Sequence, residues 1–468
     1  MGARRLSLLD ATFLQIERRE TPMHVAALQV FQLPDDASAD FCRSVVQKLR
    51  GPEKLGRPWN LRLAQVPLSR MAPATETAPT IDMAYHVRHT CLPAPGGERE
   101  LGELISHLHS TTLDRSRPLW TCHVIEGLEN GRFAIYTKVH HALVDGIKGM
   151  HLLTRGLATT PGTDNWMVPW AEVASAGRRK RAGGEAAGRS GSGGVPLTQW
   201  PRLAARSMRP LLRRPGSRDD ETVRLPFEAP RSILNGPVTG ARRVATQRFP
   251  LARIKTLARR ADCSVNDIFL ALCGAALRRH LLDNGKLPER SLIAGVPVSL
   301  RAESGDDEAG NAVGFLWSVL GTELSDPQAR LAAIRRSMQA SKAHLQSLPG
   351  AARSVYTMST MAPAIGVLLS GQGARLRPSM NVVISNVPGP DRALYLDGAR
   401  MEAMYPVSIP IQGLGLNITC VSYDGQLTVG FTGSRDSLPR LQRIAVYAGE
   451  ALDELERVFG VTGAGEGS

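Results

Sequence analysis

The chain of 468 residues is about three times the ~150-residue domain prior, which predicts two domains rather than one. Hydrophobic residues make up 43% and charged residues 21%, the proportions of an ordinary globular chain, so a wholly disordered or fibrous protein is excluded. With 57 basic and 43 acidic residues the net charge is +14, which favours anionic partners such as nucleic acid, acidic lipid surfaces or phosphorylated small molecules.

Six cysteines (Cys42, Cys91, Cys122, Cys263, Cys273, Cys420) are scattered without a C-x-x-C pair. This excludes a disulfide framework or zinc knuckle as the organising device and predicts a reducing compartment. Arg4 and Arg5 precede an apolar run, 6–9, that Asp10 cuts and a charged stretch, 17–20, follows, so no secretory h-region fits. The best apolar segment, 268–277, is ten residues long between Asp267 and Arg278, short of the ~18 of a membrane span. The expectation is a cytoplasmic protein or one lying on a membrane surface.

In chain order, apolar residues at helical spacing predict a helix over 101–113. Segments 119–125 and 133–139 alternate and are rich in β-formers, and Asn130-Gly131 between them predicts a hairpin. From Pro161 to about Gly240 Gly, Pro, Ser and Arg dominate, and 171–220 alone holds eleven basic and four acidic residues. Such composition cannot offset its ordering entropy, so 161–240 reads as a basic crossover linker, partly disordered, with a helix around 200–212. The linker lacks interleaved aromatic residues or a nucleic-acid motif, so no nucleic-acid partner is expected. The domains are then 1–160 and 241–468.

Beyond the linker, 264–282 reads as a helix whose Ser264 and Asp267 have capping-box spacing. Segment 291–300 reads as a buried strand. Asp326-Pro327 opens a long helix to about Leu348, with Pro at its tolerated first position. Another strand covers 380–387, and 416–423 and 426–433 flank Asp424-Gly425 as a second two-residue hairpin. A C-terminal helix runs from about 438 to 458. Mixed strands and helices in both halves predict α/β domains.

One passage carries chemistry: FAIYTKVHHALVDG, 133–146, a strand running into His140 and His141, with Asp145 and Gly146 beyond. Strand alternation places His141 with Phe133, Ile135 and Val139, and His140 with Tyr136 and Lys138. If the apolar face looks inward, His141 points into the interior or a tunnel and His140 away from it. A neutral imidazole there can accept a proton from an alcohol, and such general-base catalysis typically contributes ~10²–10⁴-fold. A metal is not expected, because consecutive strand positions diverge and the i, i+4 spacing of H-E-x-x-H is missing. A core histidine beside a surface one is the bland alternative for the pair alone. The nine other histidines (His24, His86, His89, His107, His109, His123, His151, His280, His344) have no recognisable partners and read as background.

HHALVDG (140–146) is similar to the HHxxxDG signature of the chloramphenicol-acetyltransferase-like acyltransferase superfamily. Segments 6–31, RPLW (117–120), 264–281, VPVSLR (296–301) and SNVPGP (385–390) narrow this: together they resemble the bacterial wax ester synthase/diacylglycerol acyltransferase family over nearly the whole chain outside the linker. The resemblance implies two chloramphenicol-acetyltransferase-like α/β domains with mixed β-sheets and an active-site tunnel at their interface. It also implies transfer of a fatty acyl group from acyl-CoA to a long-chain alcohol or diacylglycerol, with no cofactor since acyl-CoA is a substrate, and peripheral contact with membrane or lipid inclusions.

Carried over residue by residue, His141 is the proton acceptor. Asn266, Ser385 and Asn386 are candidate oxyanion donors or substrate contacts, and losing one such donor typically costs ~3–4 kcal/mol. His140, Asp145, Gly146, Asp267 and Arg301 support the site. In the superfamily the Asp pairs with an arginine of the other half, and Arg301 is the matching position. Trp120 packs a domain wall or touches substrate. Pro388, Gly389 and Pro390 fix a turn that sets Ser385 and Asn386 near the interdomain cleft.

No G-x-S-x-G, G-x-x-x-x-G-K or strand–GxGxxG–helix unit occurs, which argues against a serine hydrolase and against nucleotide enzymes. A base without a paired nucleophile predicts direct transfer with no acyl-enzyme. Two alternatives stay open on sequence: acyl transfer from a carrier-protein thioester, and a catalytically silent lipid-droplet or membrane-binding protein of the same fold.

Overall fold

A computed structural model of the chain describes residues 3–64, 73–162, 166–172, 224, 226–299, 313–348 and 369–461, with several residues between 353 and 367. The linker core, with the expected helix at 200–212, and Arg301 lie outside the described residues.

Two six-stranded mixed sheets form the framework. The second sheet runs Val313–Val319, Ile293–Ser299, Val382–Val387, Leu416–Tyr423, Gln426–Ser434, Arg242–Pro250. Val382–Val387 is parallel to both neighbours and the other pairs are antiparallel. The first sheet runs Tyr395–Leu396, Ala399–Val407, His24–Gln32, Arg132–His140, Trp120–Leu128, Val87–Cys91. It is antiparallel except at its last pair. The segment 395–407, counted with the C-terminal domain on sequence, is thus built into the N-terminal sheet, so each half depends on the other.

Local chemistry explains the elements. Both hairpins turn on residues with positive φ, Asn130 (60°) and Gly131 (63°), then Asp424 (43°) and Gly425 (73°), the type I′ geometry that matches strand twist. Ser264 Oγ accepts from Asp267 N at 3.1 Å and Asp267 Oδ2 accepts from Ser264 N at 3.0 Å, so the capping box exists with Asp in place of Glu. The helix it opens, Val265–Asp283, is apolar nearly all round and lies inside the C-terminal core against the helices Pro327–Ser347 and Leu441–Val458. A second core spans both halves, joining Trp120, Val139 and Val144 to Val387, Val421 and Tyr423.

The two sheets meet where Gly430 faces Pro406, and a Cβ added at Gly430 would overlap the Pro406 carbonyl oxygen. Gly430→Ala should therefore lower stability by about 1–3 kcal/mol or more. Gly102→Ala, in the helix Glu98–Ser110, meets only Val244 O at 3.7 Å and should be neutral or stabilising by up to ~1 kcal/mol. Thermal unfolding of the two variants checks the contrast; equal midpoints would contradict the close approach.

Candidate active site

The strand Arg132–His140 is flanked by strands on both sides, and every residue from Phe133 to His140 is buried. Helix Glu98–Ser110 packs on one of its faces, where Tyr136 meets Leu101 and Ile105. On the other face Phe133, Ile135 and Val139 join the core with Phe41, Val45 and Leu49. This corrects the expectation that His140 points away from the interior. His140 is fully buried, and a strand covered on both faces offers no outward side. His140 N donates to Leu119 O at 3.0 Å, and its Nδ1 accepts from Ala142 N at 3.0 Å.

The strand ends at His140, so alternation no longer governs the next residue. His141 turns out of the sheet, its N–H donating to Met23 O at 2.8 Å. The residue is half-buried, its ring Nδ1 is enclosed, and the ring stacks on Phe13, with centroids 4.1 Å apart and planes 26° from parallel. Phe13 belongs to the helix Leu8–Ile16, which Ser7 caps by accepting from Asp10 N. Burial, with a smaller contribution from the neighbouring His140, lowers the His141 pKa from 6.5 to about 4, against the opposing influence of Asp145. At neutral pH the ring is therefore a free base.

Asp145 is the N-cap of the helix Gly146–Thr154, its Oδ1 accepting from Lys148 N at 2.7 Å. That hydrogen bond starts the helix. Gly146 lies against the other half: a Cβ there would sit 3.7 Å from Val387 Cγ2. The strand Val382–Val387 thereby brings the SNVPGP segment to the histidine motif. On that strand Val382 and Ile384 enter the C-terminal core, so Ser385 shares the opposite face with Val383 and Val387. Ser385, half-buried, is on the face turned to the motif; Asn386 is exposed and on the other.

Among the described residues, the remaining candidates Trp120, Asn266 and Asp267 have their contacts elsewhere. Trp120 is fully buried, donates from Nε1 to Trp59 O at 2.8 Å and packs on His86 and Trp170, which makes it a wall residue rather than a substrate contact. Asn266 is half-buried in the first turn of its helix, and Asp267 spends its hydrogen bonds on Ser264. No hydrogen bond among the described residues links either to the motif. A hollow of about 110 Å³, lined by Phe315, Met380, Val383 and Leu414, lies beside the same strand as Ser385. A cleft of about 470 Å³ lined by Leu14, Glu17, Leu63 and Arg115 lies beside His140. His141 lines neither.

Sequence reasoning missed several partners. His24 Nε2 donates to His109 O at 2.9 Å, His109 Nε2 donates to Ser408 O at 2.8 Å, and Tyr136 Oη lies 2.8 Å from His109 Nδ1. Lys138 Nζ donates to Leu108 O and Thr111 O. Burial, reinforced by Arg88 and opposed by Glu17, lowers the Lys138 pKa to about 7. Within these background histidines, sequence spacing gave no signal, because each partner lies at least 27 positions away. Glu17, read only as part of a charged stretch, contacts His140.

Asp145→Ala removes the helix cap and should cost about 0.5–2 kcal/mol, lowering the thermal midpoint and folded yield together with activity, whereas Asp145→Asn retains a capping oxygen and stays near the parent. An Ala variant of unchanged thermal midpoint that loses only turnover would overturn the structural assignment.

Comparison with known proteins gives the same outline. Residues 6–269 match the wax ester synthase/diacylglycerol acyltransferase catalytic domain, and 309–456 match the WS/DGAT C-terminal domain. A Mycobacterium tuberculosis H37Rv protein, provisionally named a diacylglycerol O-acyltransferase, is 41% identical over 461 residues, 97% of this chain and 100% of the relative. The solved wax ester synthase/diacylglycerol acyltransferase of Marinobacter aquaeolei VT8 is 36% identical with a TM-score of 0.79, covering 98% of this chain and 100% of that one. A starter condensation domain of rhizomide synthetase, 13% identical with a TM-score of 0.56 over 98% and 94% of the two chains, shares the fold alone. The two-domain α/β fold with mixed sheets is therefore the one expected, and the chain belongs to the wax ester synthase/diacylglycerol acyltransferase family.

Proposed function

We propose that the protein is an O-acyltransferase that moves a fatty acyl group from acyl-CoA to the hydroxyl of a long-chain alcohol, a diacylglycerol or both. The observation that carries this reading is His141, an imidazole kept unprotonated at neutral pH by burial and held at the end of a central strand, where the two halves meet.

In this mechanism His141 takes the proton of the acceptor hydroxyl as its oxygen attacks the thioester carbonyl. The tetrahedral oxyanion collapses, the C–S bond breaks, and the imidazolium returns the proton to the CoA thiolate. Ser385 then donates to the oxyanion, a reading its strand face supports. No thiol is poised to form an acyl-enzyme on the interior: burial pushes Cys42 and Cys122 up to about 12 and Cys263 to about 11, and raises Cys273 and Cys420 as well. Direct transfer needs both substrates bound at once, which an interdomain tunnel with two mouths would permit.

The net charge of +14 suits the phosphates of CoA and the anionic leaflets that supply diacylglycerol. Among the described residues no helix is long and apolar enough to cross a membrane. Peripheral contact from the cytoplasmic side, with membrane or lipid inclusions, is the reading the charge supports.

Purified protein with palmitoyl-CoA, offered hexadecanol and dioleoylglycerol side by side, should form ester, and His141→Ala should lower kcat by ~10²–10⁴-fold. Undiminished turnover in His141→Ala would remove the base. Because protonation silences the base and burial has moved its pKa down, kcat/KM should hold as pH falls past 6.5 and drop only on approach to about 4. An inflection near 6.5 in protein that circular dichroism shows to be folded would contradict the assigned environment.

A further inference from the structure

Three contacts fix His141: its N–H on Met23 O, the turn anchored by His140, and the Phe13 ring against its face. All three lead back to one residue, Glu17, the first two through its carboxylate and the third through its backbone. Glu17 ends the helix that carries Phe13, its N–H donating to Phe13 O at 3.2 Å. Its side chain is 6% exposed. Oε1 accepts from Met23 N at 2.9 Å and lies 3.4 Å from His140 Nε2. Because His140 Nδ1 accepts from Ala142 N, a neutral His140 carries its proton on Nε2, the nitrogen facing Glu17. Oε2 accepts from Arg115 Nε at 3.1 Å and Nη2 at 2.9 Å, and that Nη2 also donates to Leu14 O at 2.7 Å.

An ion this enclosed is strongly destabilising unless its oxygens are occupied. Here burial alone would raise the carboxyl, but His140, Met23 N–H and Arg115 outweigh it and hold Glu17 at about 2. The charge is therefore permanent through the working pH range. It binds Met23 N–H, whose residue accepts from His141 N–H, and lies 3.4 Å from the ring of His140, the residue before His141 in the chain.

We propose that Glu17 is a positioning residue for His141, setting the imidazole through Met23 and His140 rather than by touching substrate. The inference rests on His141 being the base. A misplacement of about 1 Å at a reacting group can cost ~10²-fold, which is the size of effect expected when this hold is released.

Steady-state kinetics of Glu17→Ala, Glu17→Gln and Glu17→Asp, alone and combined with His141→Ala, test it, with thermal midpoints measured alongside. Glu17→Ala should lower kcat by about 10²-fold, with KM for palmitoyl-CoA and hexadecanol changed less than about threefold. Glu17→Gln keeps an acceptor for Met23 N and should recover about tenfold of that loss. In the His141→Ala background each Glu17 variant should have no further effect on kcat, because the group it positions is gone. Normal kcat per folded molecule in Glu17→Gln and Glu17→Asp would overturn the proposal, as would losses that multiply with His141→Ala. If Glu17→Ala does not fold, the Gln and Asp variants decide by the same criteria. Full activity of His141→Ala by itself would instead sink the base assignment, a separate outcome.

Discussion

A histidine that is to act as a base near neutrality must be kept from its proton without being shut away from substrate, and the end of a central strand meets that constraint. The eight strand residues before it, Phe133 to His140, are buried, so the sheet fixes His140, and one further backbone bond, from His141 N–H to Met23 O, holds His141 just past the strand's end. Desolvation then works on the ring from the Phe13 side and from the turn, and the lowered pKa is its result. In the proposed reaction a base so weakened would take the proton only as the acceptor oxygen bonds to carbon, which would tie proton transfer to acyl transfer with no free alkoxide formed.

The same enclosure exacts polar housekeeping. Glu17, His24, His109, Tyr136 and Lys138 lie in or against the first sheet: His24 and Lys138 donate to backbone carbonyls of the helix Glu98–Ser110 and the turn after it, His109 donates to Ser408 O and meets Tyr136 Oη, and Glu17 accepts from Met23 N and Arg115. Buried polar groups are tolerated when so satisfied. Burial lowers His24 and His109 as well as His141, so each binds its proton less readily folded than unfolded. Their contribution to stability is present above 6.5 and is lost as pH falls below it, a linkage distinct from the loss of the base itself.

Much of the fold was legible because its signals are local. Asn130-Gly131 and Asp424-Gly425 set turns by their own φ preferences, and Ser264 with Asp267 or Asp326 with Pro327 set helix starts within four residues. The strand Ala399–Val407 was not legible as part of the N-terminal sheet, since its pairing with His24–Gln32 spans some 375 positions and leaves no local trace. In the candidate site, the motif drew attention to His141, but the facing of His140 was misread because alternation tells inside from outside only when one face meets solvent. Asn266 and Trp120 were drawn toward the site by resemblance, whereas their contacts are a helix start and a tryptophan cluster. Glu17 was passed over because its partners, His140, Met23 and Arg115, converge only through tertiary structure.

The most direct test of the central claim is a crystal structure of the protein with a non-cleavable thioether analogue of palmitoyl-CoA and hexadecanol bound together. The account predicts the alcohol oxygen about 3 Å from a ring nitrogen of His141 and directed at the analogue carbon that stands in for the thioester carbonyl carbon. An alcohol oxygen held by another side chain, with the His141 ring turned away and separated from it by protein, would contradict it.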